Sequence, residues 1–280
     1  MPWRAREWGG LLMHIVCHSG GHSSALVAFE VVRKHGPAGV VLLNHEIPGH
    51  VEAEDIKRFK LEVAAHLGLP VTYASHPDPA ADQFDVTVQA GAFKVDNGPE
   101  LCTHRLKTLP FQKWLAENAD RASAVVYYGF DANETTRIQR RSGIMGADGW
   151  RTDYPLAFWP RTILGTEEVG IVRPNTYSLF KHANCVGCLK AGWQHWFVVY
   201  CTRPDIWAKG KWAEEEIGYA IHHDDSGPVY LEDMEPKFAA MRAAGIPATE
   251  HITHQRFWAQ ATKIVKINAV QSSIPCECIT

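Results

Sequence analysis

The chain has 280 residues, 46% of them apolar and 21% charged, with a formal net charge of −3. That is enough apolar material for a substantial core in one large domain, and no overall basic field advertises a nucleic-acid partner, so any such contact would need a local patch. No apolar run approaches the ~18 residues a membrane-spanning helix needs, and the opening MPWRAREWGGLL has too short an apolar stretch for a secretion signal.

Residues 1–12 read as a flexible extension ahead of MHIVC (13–17), a short apolar strand ending in a Ser-Gly-Gly turn. SSALVAFEVVRK then reads as a helix stopped by Gly36-Pro37, and AGVVLL (38–43) as a second strand. Over 52–67 Ile56, Phe59, Val63, Ala64 and Leu67 share one face, which predicts a helix closed by Gly68 and Pro70. LPVTYA (69–74) is a third strand, and 75–101, without periodicity, reads as a long loop over a site. Pro110 marks a helix start, ASAVVYYGF (122–130) a fourth strand, and DANETTRIQRR the next helix. This β-α-β-α-β rhythm predicts an α/β fold, a Rossmann-like parallel sheet with helices on both faces, whose ligands sit at the carboxyl ends of the strands. The nucleotide domain is expected over 13–200. A mainly helical C-terminal region follows over 201–280, the helical stretches beyond 150 falling near 166–173, 203–217, 233–244 and 254–270.

The first turn carries the chemistry. In Ser19-Gly20-Gly21-His22-Ser23-Ser24, two glycines let the backbone approach an anion without a Cβ in the way. Backbone N–H groups and the positive end of the following helix would face phosphates, with the serine hydroxyls as further donors. The lysine of the GxxxxGK[ST] loop is missing, so this is a different phosphate loop. Gly129 ends the fourth strand at the same edge of the sheet. Arg137, Arg140, Arg141, Arg151 and Arg161 follow it; arginine forks pair well with phosphate or sulfate. Glu46 and Asp131, near strand ends, are candidate Mg²⁺ carboxylates.

The seven cysteines are an odd count, which argues against a disulfide scaffold and for a reducing, cytoplasmic setting. Cys185-x-x-Cys188 has a spacing at which two thiolates reach one metal, and Cys102 lies in the earlier loop. Cys276 and Cys278 end the chain, either as a mobile carrier of a nucleophile or persulfide, Cys278 being the catalytic candidate, or as a frayed terminus.

Taken in order, these segments resemble the PP-loop ATP pyrophosphatases and the phosphoadenylyl-sulfate reductase family. Ser19–Ser24 is similar to their PP-motif; Asn44-His45-Glu46 with Pro48 falls where the reductases carry Asp-Thr-Gly before a Pro-Glu. Cys102 through Pro110, Gly129 through Arg137, Tyr154-Pro155-Leu156 with Trp159, Tyr177 and Asn184 through Cys188 match further segments, from about Met13 to Gly192. The resemblance implies an adenine nucleotide alpha-hydrolase-like fold, with Asn44, Gly129 and Arg137 beside the nucleotide and Arg105 and Lys107 binding the substrate anion. It also implies a [4Fe-4S] cluster on Cys102, Cys185 and Cys188. Its fourth ligand is open among a sulfide, Cys17, Cys201 and the tail cysteines; a zinc site with His104 or His182, or a metal-free thiol pair, are the alternatives. Thr103 replaces a second cysteine, Phe130-Asp131 an arginine, and the tail departs from the reductase ending.

The expected function is ATP-dependent, pyrophosphate-releasing sulfur transfer onto a nucleic acid or small molecule. A sulfur-donor protein or thiol reductant would be the partner; no membrane partner is expected, and a homodimer is compatible. Thiol-dependent reduction of a sulfonucleotide, and a non-catalytic nucleotide- or cluster-binding subunit, are the competing readings.

Overall fold

The computed structural model describes residues 12–94, 100–183 and 185–265. Strand β1 (Met13–Cys17) is buried at every position, because helices cover both faces of its sheet. Helix α1 (His22–His35) leads to β2 (Val40–Asn44), and α2 (Glu54–His66) to β3 (Val71–Tyr73). The chain then crosses back through α3 (Gln83–Ala90), α4 (Leu101–Thr103), a π-helical turn (His104–Thr108) and α5 (Leu109–Asn118). Strand β4 (Ala124–Tyr127), helix α6 (Thr135–Ala147), strand β5 (Arg151–Asp153) and the short α7 (Pro155–Phe158) complete the sheet half. The five strands are all parallel, in the order β3-β2-β1-β4-β5.

The period of two along each strand sorts the core into two layers. Val16, Val40, Leu42 and Tyr127 pack under α1 and under Phe59 and Val63 of α2. Ile15, Cys17, Leu43, Val126 and Tyr128 face the other way, onto Leu115 of α5 and Ile138 and Met145 of α6. The helices between β1 and β3 thus lie on one face and those flanking β4 on the other. That reversal opens a crevice off the carboxyl ends of β1 and β4.

Beyond the sheet come α8 (Trp193–Thr202), α9 (Pro204–Ile217), a hairpin of β6 (His222–Asp224) and β7 (Gly227–Val229), α10 (Leu231–Ala243) and α11 (His254–Val265). They enclose an aromatic core of Trp193, Trp196, Phe197, Trp207, Phe238 and Phe257. Val186 and Leu189, in and beside the Cys-x-x-Cys turn, belong to that core, and α8 runs across the boundary expected at 200. Among the described residues no helix is long and apolar enough to cross a membrane.

Two expectations need correcting. The stretch 75–101 is not one loop: Asp82 accepts the N–H groups of Phe84 and Asp85, and Asp85 accepts that of Asp82, a reciprocal cap that starts α3. The helix expected over 166–173 is a single 3₁₀ turn, Thr166–Val169, ended by Gly170 at φ +80°. Residues 1–11, Asn184, Cys276 and Cys278 lie outside the described residues.

Candidate active site

The crevice at the strand ends holds a cavity of about 220 Å³. One wall is the first turn, with Ser19, Gly21, His22, Ser23 and Ser24; another comes from β4 and α6, with Gly129, Phe130, Glu134 and Arg137. Asn44, His45, Ile47 and Glu52 close it from β2 and the segment after it, and Lys107, Tyr177, His182, Ala183 and Cys185 complete the rim.

The turn is shaped for anion contact. Helix α1 begins with Ala25 N–H donating to the Gly21 carbonyl at 3.1 Å, so the amides before it have no carbonyl four residues back. One is engaged: His22 N–H donates to the Tyr177 hydroxyl at 3.0 Å. The hydroxyls form a chain, Ser19 Oγ to Ser24 Oγ (3.3 Å) and Ser24 Oγ to the Gly21 carbonyl (2.8 Å). Gly20 turns the chain at φ +84°, and a Cβ there would lie 2.7 Å from Ile56 Cγ2 and 2.9 Å from Lys60 Cγ. Gly129 lets β4 come close to α1: its Cβ would lie 3.1 Å from the Ser24 nitrogen.

Beneath the turn is a buried polar network. Lys60 Nζ donates to both Glu52 oxygens (2.9 and 2.8 Å) and to Asn44 Oδ1 (3.1 Å), while Asn44 Nδ2 donates to the His18 carbonyl. Burial raises the Glu52 carboxyl, with Lys60 pulling the other way, and burial lowers the Lys60 ammonium against the pull of Glu52. Burial holds His18 down at about 4. His45 is also held near 4 by burial and by the charges of Lys107 and Lys60, while its bond to the Ala74 carbonyl pulls the other way. Both imidazoles are neutral at pH 7.

A second, small cavity of about 20 Å³ lies alongside, lined by Gln83, Cys102, Thr103, Leu106, Cys188, Leu189 and Lys190 together with Lys107 and Cys185. The last two residues therefore border both cavities. Burial, then the neighbouring Cys185, pushes the Cys102 thiol up to about 12. The Cys-x-x-Cys turn is pinned from behind: Gly187 and Cys188 donate their N–H groups to His195 Nε2 (3.2 and 3.4 Å), and His195 Nδ1 donates to Glu250 (2.8 Å). Three soft thiols around an apolar pocket suit a thiophilic metal chemically. As placed, though, no three His, Cys, Asp or Glu side chains among the described residues form a group that could hold an ion. Cys17 faces the sheet core, where burial raises it to about 12, and Cys201 sits on α8.

Of the residues expected at the site, Ser19, Gly21, His22, Ser23, Ser24, Asn44, Lys107, Gly129 and Arg137 line the cavity; Gly20 shapes the turn from below. Arg105 does not line it. Two residues from Lys107 on the π-helical turn, it reaches the Val86 carbonyl and Gln89. Nor do Glu46 and Asp131; Asp131 pairs with Arg161. The carboxylates that do line it, Glu52 and Glu134, are not among the expected site residues: Glu52 lies outside the matched segments, and Glu134 lies inside Gly129 through Arg137 with no role assigned to it. Glu134 pairs with Arg137, whose guanidinium stands 4.5 Å over the Phe130 ring. Glu52 and Glu134 are oxygen donors of the kind Mg²⁺ takes, and both line the cavity. Tyr177 belongs to a matched segment but has no role there, because its contact with His22 spans 155 residues.

Compared with family models, with curated proteins and with solved structures, the chain matches none.

Proposed function

We propose that this chain is an ATP-binding, pyrophosphate-releasing sulfur-transfer enzyme with an adenine nucleotide alpha-hydrolase-like fold, related to the PP-loop and phosphoadenylyl-sulfate reductase enzymes. The observation that carries the reading is the shared wall. Cys185 and Lys107 border both the cavity built by the first-turn amides and the pocket lined by Cys102 and Cys188. An activated phosphate and a sulfur atom can therefore meet with one lysine between them.

In this reading the phosphates sit on the amides of residues 21, 23 and 24, at the positive end of α1, beside the His22 amide that Tyr177 holds. An acceptor oxygen attacks the α-phosphorus, the bond from that phosphorus to the β-phosphate oxygen breaks, and pyrophosphate leaves. The terminal sulfur of a persulfide donor then displaces AMP, the acceptor–sulfur bond forming as the acceptor–oxygen bond breaks and its electron pair leaves with AMP. A second thiol attacks the donor's inner sulfur, breaking the sulfur–sulfur bond to leave a disulfide and the thiolated acceptor. The amides, Lys107 and Arg137 stabilise charge gathering on the phosphoryl oxygens, and the rigid turn supplies orientation. Glu52 and Glu134 would hold Mg²⁺, which neutralises the leaving pyrophosphate. A [4Fe-4S] cluster or zinc, if bound, would be held by Cys102, Cys185 and Cys188 drawn closer together than they stand, and no step of the reaction is routed through it. A reducing cytoplasm is the setting in which these thiols would act.

The test is an oxygen-free preparation, its visible spectrum and a pyrophosphate assay with ATP, a thiol and candidate acceptors. Pyrophosphate release supports the reading. Sulfite release from a sulfonucleotide without pyrophosphate selects the reductase, and tight ATP binding without turnover selects a binding subunit. A colourless, zinc-containing protein removes the cluster.

A further inference from the structure

We propose that Glu52 is the specificity-determining residue that makes this cavity accept a phosphate group in company with Mg²⁺ and reject the bare anion. The inference rests on the nucleotide reading above and deepens it.

The argument starts from which end of a buried ion pair faces the ligand. Lys60 and Glu52 are both buried, at 1% and 7% exposure, and the ammonium gives its hydrogens to the two Glu52 oxygens and to Asn44 Oδ1. The lysine stem runs beneath Gly20, and Lys60 does not line the cavity, whereas Glu52 does, beside Ser19, Gly21 and Asn44. A ligand on the turn thus meets the negative end of the pair. Asn44 cannot rotate to offer its amide instead, because its Nδ2 is fixed on the His18 carbonyl. The other carboxylate, Glu134, is different: its partner Arg137 lines the cavity with it, so that wall presents both charges.

A buried ion pair is costly to desolvate, and an apolar pair of similar volume would do as well for stability. Here it leaves a carboxylate anchored in the wall beside Ser19, Gly21 and the rest of the turn, whose amides and hydroxyls are anion donors. A metal-free phosphate group on the turn is repelled by it; Mg²⁺ between carboxylate and phosphate turns the repulsion into shared coordination. Lys60 is the positioning residue: its ammonium donates to both Glu52 oxygens and fixes the carboxylate in the cavity wall.

The experiment is calorimetric titration with pyrophosphate, with and without Mg²⁺, and with MgATP. The wild type is expected to bind magnesium pyrophosphate about tenfold or more tightly than the metal-free anion. Glu52→Gln keeps the shape, removes the negative end, and should bring that ratio to about one or two, chiefly by tightening metal-free binding. The double variant Lys60→Met/Glu52→Gln leaves no unpaired buried charge, and should lose the preference in the same way even if the single variant folds poorly. Variants that retain the wild-type ratio overturn the inference, as does a wild type that binds MgATP yet shows no preference. A wild type that binds no magnesium nucleotide overturns the nucleotide reading beneath it.

Discussion

Replacing Gly20 by alanine tests the physical premise of the site, a turn held tightly against α2. Two costs add. At φ +84° an L-residue takes a left-handed conformation costing about 1–2 kcal/mol. The new methyl would also stand 2.7 Å from Ile56 Cγ2 and 2.9 and 3.0 Å from Lys60 Cγ and Cδ. Neither neighbour yields easily: Ile56 is 1% exposed, and Lys60 is anchored by three hydrogen bonds at its tip. Overpacking of this kind costs about 1–3 kcal/mol, so the total is about 2–5 kcal/mol in urea denaturation. The second term can be isolated. In an Ile56→Ala background the closest clash is gone, and Gly20→Ala should cost less there by about 1–2 kcal/mol, a coupling a double-mutant cycle resolves. A Gly20→Ala cost below about 0.5 kcal/mol, or one equal in both backgrounds, would refute the reasoning.

Lys107→Ala should slow pyrophosphate release by roughly 10²-fold in a coupled assay, whereas Arg105→Ala, whose side chain turns toward Val86 and Gln89, should leave it near wild type. His18 should make the fold acid-sensitive. Its folded value near 4 lies below the unfolded 6.5, so the unfolded chain binds the extra proton; its contribution is complete above pH 6.5 and lost as pH falls toward 4. About 3 kcal/mol should disappear across that window in chemical denaturation, and His18→Gln should flatten the loss. His195→Phe removes the acceptor of two turn amides and the partner of Glu250. It should cost about 2–4 kcal/mol and speed the reaction of Cys188 with a thiol reagent; unchanged thiol kinetics would show that His195 does not pin the turn.

Local signals were enough for four of the five strands, while β5, a three-residue Arg-Thr-Asp, carries no apolar run to read. MHIVC, VVLL and AVVY are short β-branched runs, α2 follows its 3.6-residue stripe, and each strand ends in a turn at the same edge. The site was legible where a motif carried it, at Ser19–Ser24 and Gly129 through Arg137, and where one lysine sat in a patterned segment. It was illegible where a side chain arrives from elsewhere. Asp82 was passed over because its reciprocal cap is an Asp-x-x-Asp, weaker as a pattern than the Ser/Thr-x-x-Glu form. Helix α8 was missed because its WQHWFVVYCT is buried on most sides, so it has no apolar stripe to read.

By itself the sequence determined an α/β fold with a parallel sheet, the glycine turn that lines the cavity, and the presence of a paired-cysteine segment, because each is written in contiguous residues with a fixed period or spacing. Only the tertiary structure decided that Cys185 and Lys107 border the turn's cavity, that Arg105, Glu46 and Asp131 do not, and that Glu52 lines it with Lys60 behind. Those facts depend on how helices settle onto the two faces of the sheet. That packing is set by the summed burial of side chains far apart in the chain, which no local pattern encodes.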